Sequence, residues 1–224
     1  MTTGGGRPDR GRPGERRLPM ALAVLAAAGL YVLIPKDFLI AEESRIVYPA
    51  LLVLLLVLLI VGDPGRIDRQ RRWLRTATGL LIAIMAAGIA VSAARLVVGI
   101  LHNAHFAAPT QLLSIGVSIW STSVITFALA FWHLDSGGPV ARARGTGPGR
   151  PAFRFPEHDI DELMRSGWYP QFVDYLALSF NTATAFGVAD VSAVRHWSKL
   201  CLIAESAISL VLVALVLARA VNIL

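Results

Sequence analysis

The feature that most constrains this chain is a series of long apolar segments. The most extreme, Ile46 to Gly62, carries no charged side chain and contains ten consecutive apolar residues from Leu51 to Ile60. A helix rises ~1.5 Å per residue, so about 20 such residues cross the ~30 Å hydrocarbon layer of a bilayer. The pattern therefore predicts an all-α, polytopic bundle of membrane helices. Further largely apolar segments are Leu18 to Ile34, Leu74 to Leu101, Gln111 to His133 and Leu200 to Leu224.

Composition supports a membrane protein rather than a water-soluble domain. Of the 224 residues, 55% are hydrophobic and 16% are charged, and the mean hydropathy is +0.60. A soluble domain carries about 25% charged residues. The lipid bilayer is therefore the expected partner. The single cysteine, Cys201, excludes an intrachain disulfide.

The pattern divides the chain into four parts. Residues 1–17 predict a disordered Arg-rich tail, residues 18–133 four transmembrane helices, residues 134–167 a polar linker, and residues 168–224 a pore-like segment and the last transmembrane helix. The first apolar segment behind the tail arginines also fits a secretory signal peptide. Its small residues lie inside the apolar block rather than after it, which favours an uncleaved helix.

The distribution of arginine predicts the orientation, because cytoplasmic loops carry an excess of Lys and Arg. The tail holds five arginines, the loop Asp63 to Trp73 holds four, and the linker holds five, whereas His102 to Thr110 has no Lys or Arg. The tail with the N-terminus, the second loop and the linker are therefore expected in the cytoplasm. The net charge of +6 is interpreted as a record of this orientation, not as a nucleic-acid interface.

The segment Gln171 to Ala189 allows two topologies, so the bundle is expected to have five to six transmembrane helices. As a span, the segment gives six helices with both termini in the cytoplasm and Asp190 to Lys199 outside. As a re-entrant segment, it dips into the membrane and returns. The charge count favours six spans. Asn181, Thr182 and Thr184 then lie at membrane depth, where they must face protein or a water-filled cavity.

The last 50 or so residues resemble a known module. The run from Asp174 to Val191 is similar to the pore helix and selectivity filter of potassium-channel pore modules, whose filter reads T-V-G-Y-G-D. The run from Leu200 to Arg219, with Glu205 in its early part, is similar to their inner helix. The resemblance implies a pore. A homo-oligomer is expected because a single copy of five or six short spans leaves little room for a polar path, and because the small residues of the third span allow close contact with another copy. The whole chain also resembles a family of predicted bacterial integral membrane proteins with no assigned activity, which implies a multi-pass protein of the bacterial inner membrane.

Two departures from the filter pattern bear on potassium selectivity. With Asp190 aligned on the filter aspartate, Gly187 stands at the first glycine, but Ala189 replaces the second glycine and Ala185 replaces the last threonine. A potassium filter replaces the hydration shell of the ion with backbone carbonyls. Residues other than glycine resist the left-handed dihedral angles involved. We therefore expect weak discrimination between potassium and sodium.

Seven residues are candidates for a pore or ion path. The amide and hydroxyl oxygens of Asn181, Thr182 and Thr184 can contact a cation, or such hydroxyls can bond to the carbonyls of their own helix. A carboxylate inside a membrane helix is costly and indicates an ion, proton or substrate partner, with a neighbouring hydroxyl as the structural alternative. The candidates are Asn181, Thr182, Thr184, Phe186, Gly187, Asp190 and Glu205.

The sequence contains no motif for an enzyme or for a cofactor or metal site. The chain has no phosphate-binding loop, HExxH motif or nucleophile elbow, so no enzyme, cofactor or metal site is predicted, and the tail is too short for specific nucleic-acid recognition. The prediction is a channel-like homo-oligomer that passes monovalent ions or a small polar solute. The alternative is a non-conducting membrane scaffold or accessory subunit.

Overall fold

The computed structural model describes residues 13–35, 39, 43–68, 71–102, 109–147, 150–185 and 190–223. Within these residues, four helices are long and apolar enough to cross a membrane, and one shorter apolar helix of 15 residues precedes them. All five begin and end within about four residues of the predicted segments, which confirms the helical membrane fold. They are α1 (Leu18–Val32), α2 (Ser44–Gly62), α3 (Arg72–Leu101), α4 (Pro109–Leu134) and α8 (His196–Ile223).

Short elements fill the chain between α4 and α8. Two strands of two residues each pair antiparallel, with Phe153 opposite Ala193 and Arg154 opposite Ser192. A 3₁₀ turn spans Pro156–Asp159. The remaining elements are α5 (Pro139–Arg144), β1 (Phe153–Arg154), α6 (Asp161–Ser166), α7 (Phe172–Ala185) and β2 (Ser192–Ala193).

Helix α4 is the centre of the bundle. It packs against α1, α3, α7 and α8, and 67% of its apolar stretch is buried, against 28% for α2 and for α8. Its Gly116 allows α8 to come close, since a Cβ at that position would lie 2.9 Å from Cγ2 of Val216. The small residue therefore sets the register of the two antiparallel helices.

The predicted cytoplasmic segments meet at one end of the bundle, which we call the arginine-rich end. The N–H of Arg17 donates to the carbonyl of Gly65 at 3.1 Å, so the tail lies against the loop between α2 and α3. Arg144 donates to the carbonyl of Asp68 at 2.6 Å, which adds the linker to the same end.

Helix α7 does not run the length of the bundle, which favours the re-entrant alternative over the predicted sixth span. Its 14 residues extend only about 21 Å. Ser179 contacts α4 at Val124, so α7 runs from the arginine-rich end into the bundle. The chain then returns to the same end, where Arg195 donates to the carbonyl of Arg150 at 2.7 Å. Residues 190–199 consequently lie on the side of the linker, not opposite it, and α7 and α8 run parallel.

Part of the predicted disordered tail is packed. Glu15 is 3% exposed and Arg17 is 6% exposed. Arg17 forms an ion pair with Asp63 at 3.3 Å, and Tyr169 donates to the carbonyl of Pro13 at 3.0 Å. The composition of the neighbouring sequence predicted disorder for these residues. The residues that hold them in place lie at distant positions in the chain, and the local sequence does not show them.

Candidate ion site between three helices

Glu205 lies at the centre of the interface of α4, α7 and α8. It is the tenth residue of α8, about 14 Å along the helix from its start, and it is fully buried. One carboxylate oxygen contacts the hydroxyl of Ser179 on α7. The same hydroxyl lies 2.8 Å from the carbonyl oxygen of Val124 on α4. The predicted carboxylate therefore joins the re-entrant helix to its two neighbours.

The hydroxyl of Ser179 faces two acceptor oxygen atoms. A serine hydroxyl has a single proton and donates one hydrogen bond. It therefore cannot donate both to the carbonyl of Val124 and to a carboxylate oxygen of Glu205. A proton or a cation held at the carboxylate removes the conflict between the facing oxygen atoms.

Three further oxygen atoms near this level have no hydrogen-bond partner among the described residues. They are Oε2 of Glu205 and the hydroxyls of Ser123 and Ser209. Ser209 is one turn after Glu205 on α8, and both serines are at most 1% exposed. Gly116 on α4 contacts Val216 on α8. Ser123 follows Gly116 by seven residues and Ser209 precedes Val216 by seven. Because the two helices are antiparallel, the two serines lie at one level. Carboxylate and hydroxyl oxygens are suitable ligands for a hard cation.

The predicted polar residues of α7 lie on two faces of the helix. Thr182 is fully buried, but its hydroxyl donates to the carbonyl of Leu178 at 2.8 Å. Asn181 and Thr184 are exposed, and the hydroxyl of Thr184 donates to the carbonyl of Phe180 at 2.8 Å. The hydroxyls of Thr182 and Thr184 thus follow the structural alternative, in which each bonds to its own helix.

Asp190 returns beside the exposed face of α7. It lines a groove of about 170 Å³ together with Asn181, Asp174 and Glu157. The structure thus brings Asn181 and Asp190 together, and separately Thr182 and Glu205. Phe186 and Gly187 lie outside the described residues, as does Ala189.

Sequence reasoning missed Ser123, Ser179 and Ser209. A regular series of hydroxyls on α4 was more conspicuous, but Thr122 and Thr126 donate to carbonyls of their own helix at 2.8 Å and 2.9 Å. Ser209 follows Glu205 by four residues, and this spacing places both on one helix face. That spacing was the available signal, whereas the contact of Ser179 depends on the packing of α7.

A buried polar network holds the start of α7 in place. The carboxylate of Glu15 accepts hydrogen bonds from the indole N–H of Trp132 at 2.7 Å and from the N–H of Phe172. Burial raises the pKa of the Glu15 carboxyl, and these two hydrogen bonds oppose that shift. The carboxylate of Asp135 accepts hydrogen bonds from the hydroxyl of Tyr175 and, at 2.7 Å, from the N–H of Ala152. The tail, α4 and the linker together position the re-entrant helix.

Arg142 completes this network from α5. Its guanidinium donates to the carbonyls of Trp132 at 2.7 Å, Asp135 at 2.8 Å and Pro170 at 3.2 Å. It also lies 4.8 Å from the ring centroid of Tyr175, a favourable cation–π contact. These contacts fix the loop before α7 to the end of α4.

Among the described residues, no group of three or more His, Cys, Asp or Glu side chains is arranged to hold a metal ion. Comparison of the chain with protein-family models, curated proteins and solved structures finds no match.

Proposed function

We propose that this chain forms a homo-oligomeric membrane protein that passes monovalent cations. The path runs along the re-entrant segment and α8 and uses Glu205 as an internal cation site. The observation that supports it best is the fully buried carboxylate with one oxygen atom that has no partner among the described residues. An isolated buried charge is costly unless it is neutralised, so a bound cation or proton is the natural counterpart.

The chemistry of the site favours cations over anions. The residues at its level contribute carboxylate, hydroxyl and carbonyl oxygens, and no Lys, Arg or His hydrogen bond or ion pair to Glu205 is present among the described contacts. The groove beside Asp190 and Asn181 provides an acidic mouth at the arginine-rich end. The arginine distribution places that end in the cytoplasm of a bacterial inner membrane.

An apolar groove supports the homo-oligomer. It has a volume of about 270 Å³ and lies between α4 and α8, where it is lined by Leu113, Val117, Leu217 and other apolar residues. Trp120, whose indole N–H has no partner in the described part of the chain, also lines it. A second copy that covers this groove gains apolar contact.

The test is ion flux into liposomes that contain the purified protein. We expect flux of potassium and sodium with weak discrimination between them. Glu205→Gln keeps the shape and removes the charge, and we expect it to lower cation flux about tenfold, equivalent to about 1.4 kcal/mol. Glu162→Gln, the same change at an exposed residue of α6, is the matched control and leaves flux unchanged.

The alternative is a non-conducting scaffold or accessory subunit. It is favoured by the hydroxyls of Thr122, Thr126, Thr182 and Thr184, which bond to their own helices. In that case Glu205 and Ser179 only join helices. Absence of flux for monovalent cations at several pH values and at both voltage signs supports the scaffold and contradicts the ion path. Equal flux for the wild type and Glu205→Gln contradicts the role of the carboxylate.

A further inference from the structure

A second cavity, of about 370 Å³, lies at the arginine-rich end between the ends of α1, α2, α3 and α4. We propose that it binds the phosphate group of a phosphate ester. None of its lining residues belongs to the ion site around Glu205, so this inference is independent of the proposed ion path. Its charged lining residues are Arg17, Asp63, Arg71, Arg72 and Arg75.

The cavity has an excess of positive charge. Four arginines and one aspartate line it, and the aspartate is paired with Arg17 at 3.3 Å. The side chains of Arg71, Arg72 and Arg75 form no ion pair or hydrogen bond with another described residue. Three guanidinium groups are therefore available, and guanidinium is the side chain that binds phosphate oxygens with two parallel hydrogen bonds.

Arg17 provides the buried part of the site. It is 6% exposed, and its Nε is buried with no hydrogen-bond partner among the described residues. Burial lowers the pKa of this guanidinium, and the charge of Asp63 opposes that effect. A buried N–H donor without an acceptor lowers stability, and an anionic oxygen in the cavity would offset that cost.

The first turn of α3 adds backbone donors to the same wall. The helix begins at Arg72 with Arg71 as its N-cap residue, no side chain caps it, and no acidic residue lies in its first turn. The first N–H groups of a helix lack intrahelical partners and carry a partial positive charge that favours phosphate. Uncapped amides and the side chains of Arg72 and Arg75 thus share one region.

Most of the remaining lining is apolar, apart from Thr78 and His133, and favours an ester over inorganic phosphate. Met20, Leu59, Leu74, Trp132 and Val140 form this part of the wall. A fully hydrated ion gains nothing from such a surface, whereas the uncharged part of a phosphate ester buries apolar area there. The ester is either the headgroup of an anionic phospholipid or a soluble organic phosphate, since basic pockets between membrane helices bind lipid phosphates at the cytoplasmic side.

The experiment measures binding to the full-length protein in detergent by native mass spectrometry. The probes are short-chain phosphatidylglycerol, glycerol 3-phosphate and, as a neutral comparison, a diacylglycerol with the same chains. We expect one phosphate ester to bind with 1:1 stoichiometry and the diacylglycerol not to bind. The Arg72→Gln, Arg75→Gln double variant, which changes two exposed residues, weakens binding at least about tenfold.

A matched control separates this site from general charge effects. The Arg154→Gln, Arg165→Gln double variant removes the same charge from exposed positions outside the cavity and retains binding. Binding of phosphatidylglycerol alone identifies a lipid headgroup site, and competition by glycerol 3-phosphate identifies a site for soluble esters. Failure of both phosphate probes to bind, or equal loss in both double variants, overturns the proposal.

Discussion

At the scale of single residues, the interface of α4, α7 and α8 depends on one serine. Ser179 is fully buried and is the described hydrogen-bond partner of both the Val124 carbonyl and the Glu205 carboxylate. Backbone and side-chain acceptors in a membrane interior have no water to replace a lost donor. The residue therefore contributes to stability in addition to any role in ion binding.

We expect Ser179→Ala to lower the free energy of unfolding by about 1–2 kcal/mol, because it leaves one buried acceptor without its hydrogen-bond donor and removes the contact that joins α7 to its neighbours. The measurement is thermal or denaturant unfolding of the purified protein in detergent. Ser114→Ala is the control, since Ser114 is exposed and its hydroxyl bonds to the carbonyl of Gln111 in its own helix. Equal stability of the two variants would contradict the central place of Ser179.

The candidate site was predictable from the sequence only in part. Glu205 is conspicuous because a carboxylate interrupts an apolar helix. Serines are common in membrane helices, so Ser123, Ser179 and Ser209 gain meaning only when the packing of three helices brings them to one level. For the same reason, the prediction included Thr184, which the structure places on the exposed face of α7.

At the scale of helices and strands, apolar length predicts where a helix lies but not whether it crosses the membrane. The five apolar helices match their predicted segments. By contrast, the chain after α7 returns to the end of the bundle at which α7 starts. The return is fixed by the pairing of β1 with β2 and by the N–H of Val194, which donates to the carbonyl of Ala152 at 2.8 Å. Such pairing between distant residues leaves no periodic signal in a two-residue strand.

The contact of α4 with α8 gives a prediction at this scale. Gly116→Ala places a Cβ 2.9 Å from a stiff, β-branched Val216, and we expect it to lower stability by about 1–3 kcal/mol. The additional change Val216→Ala makes room and restores part of the loss, as measured by unfolding of the double variant. Gly29→Ala, where nothing lies within 4 Å of the new Cβ, is the control. A double variant less stable than Gly116→Ala alone would argue against this contact.

At the scale of the whole molecule, the structure orders the segments by side. The described parts of the tail, of the loop after α2 and of the linker meet residues 190–195 at the arginine-rich end. At the other end, α1 ends and α2 begins. The sequence alone predicted the tail, the loop after α2 and the linker on one side from their arginines. The sequence placed residues 190–195 on the opposite side, because a sixth span over residues 171–189 would move the segment that follows it across the membrane.

Labelling of single introduced cysteines tests which segments lie on the same side of the membrane. The native Cys201 is replaced by serine in every variant. Thr146→Cys and Ser192→Cys are exposed positions at the arginine-rich end, and Glu43→Cys is exposed at the opposite end. We expect a membrane-impermeant maleimide to label Glu43→Cys in intact spheroplasts and the other two only after lysis, because arginine-rich loops remain in the cytoplasm. Labelling of Thr146→Cys and Ser192→Cys from opposite sides would restore the six-span arrangement.

The parallel course of α7 and α8 has an electrostatic consequence. The carbonyl of Thr182 lies 3.4 Å from the hydroxyl of Ser206, about 15 Å along α8 from its start, so α7 ends near the middle of that helix. The last carbonyls of a helix lack internal partners and act together as about −0.5 of an elementary charge. The backbone dipole of α7 thus directs a negative potential into the centre of the membrane. This potential attracts cations and repels anions whatever the side chain at position 205, so under the proposed function the main chain also selects the sign of the charge that passes.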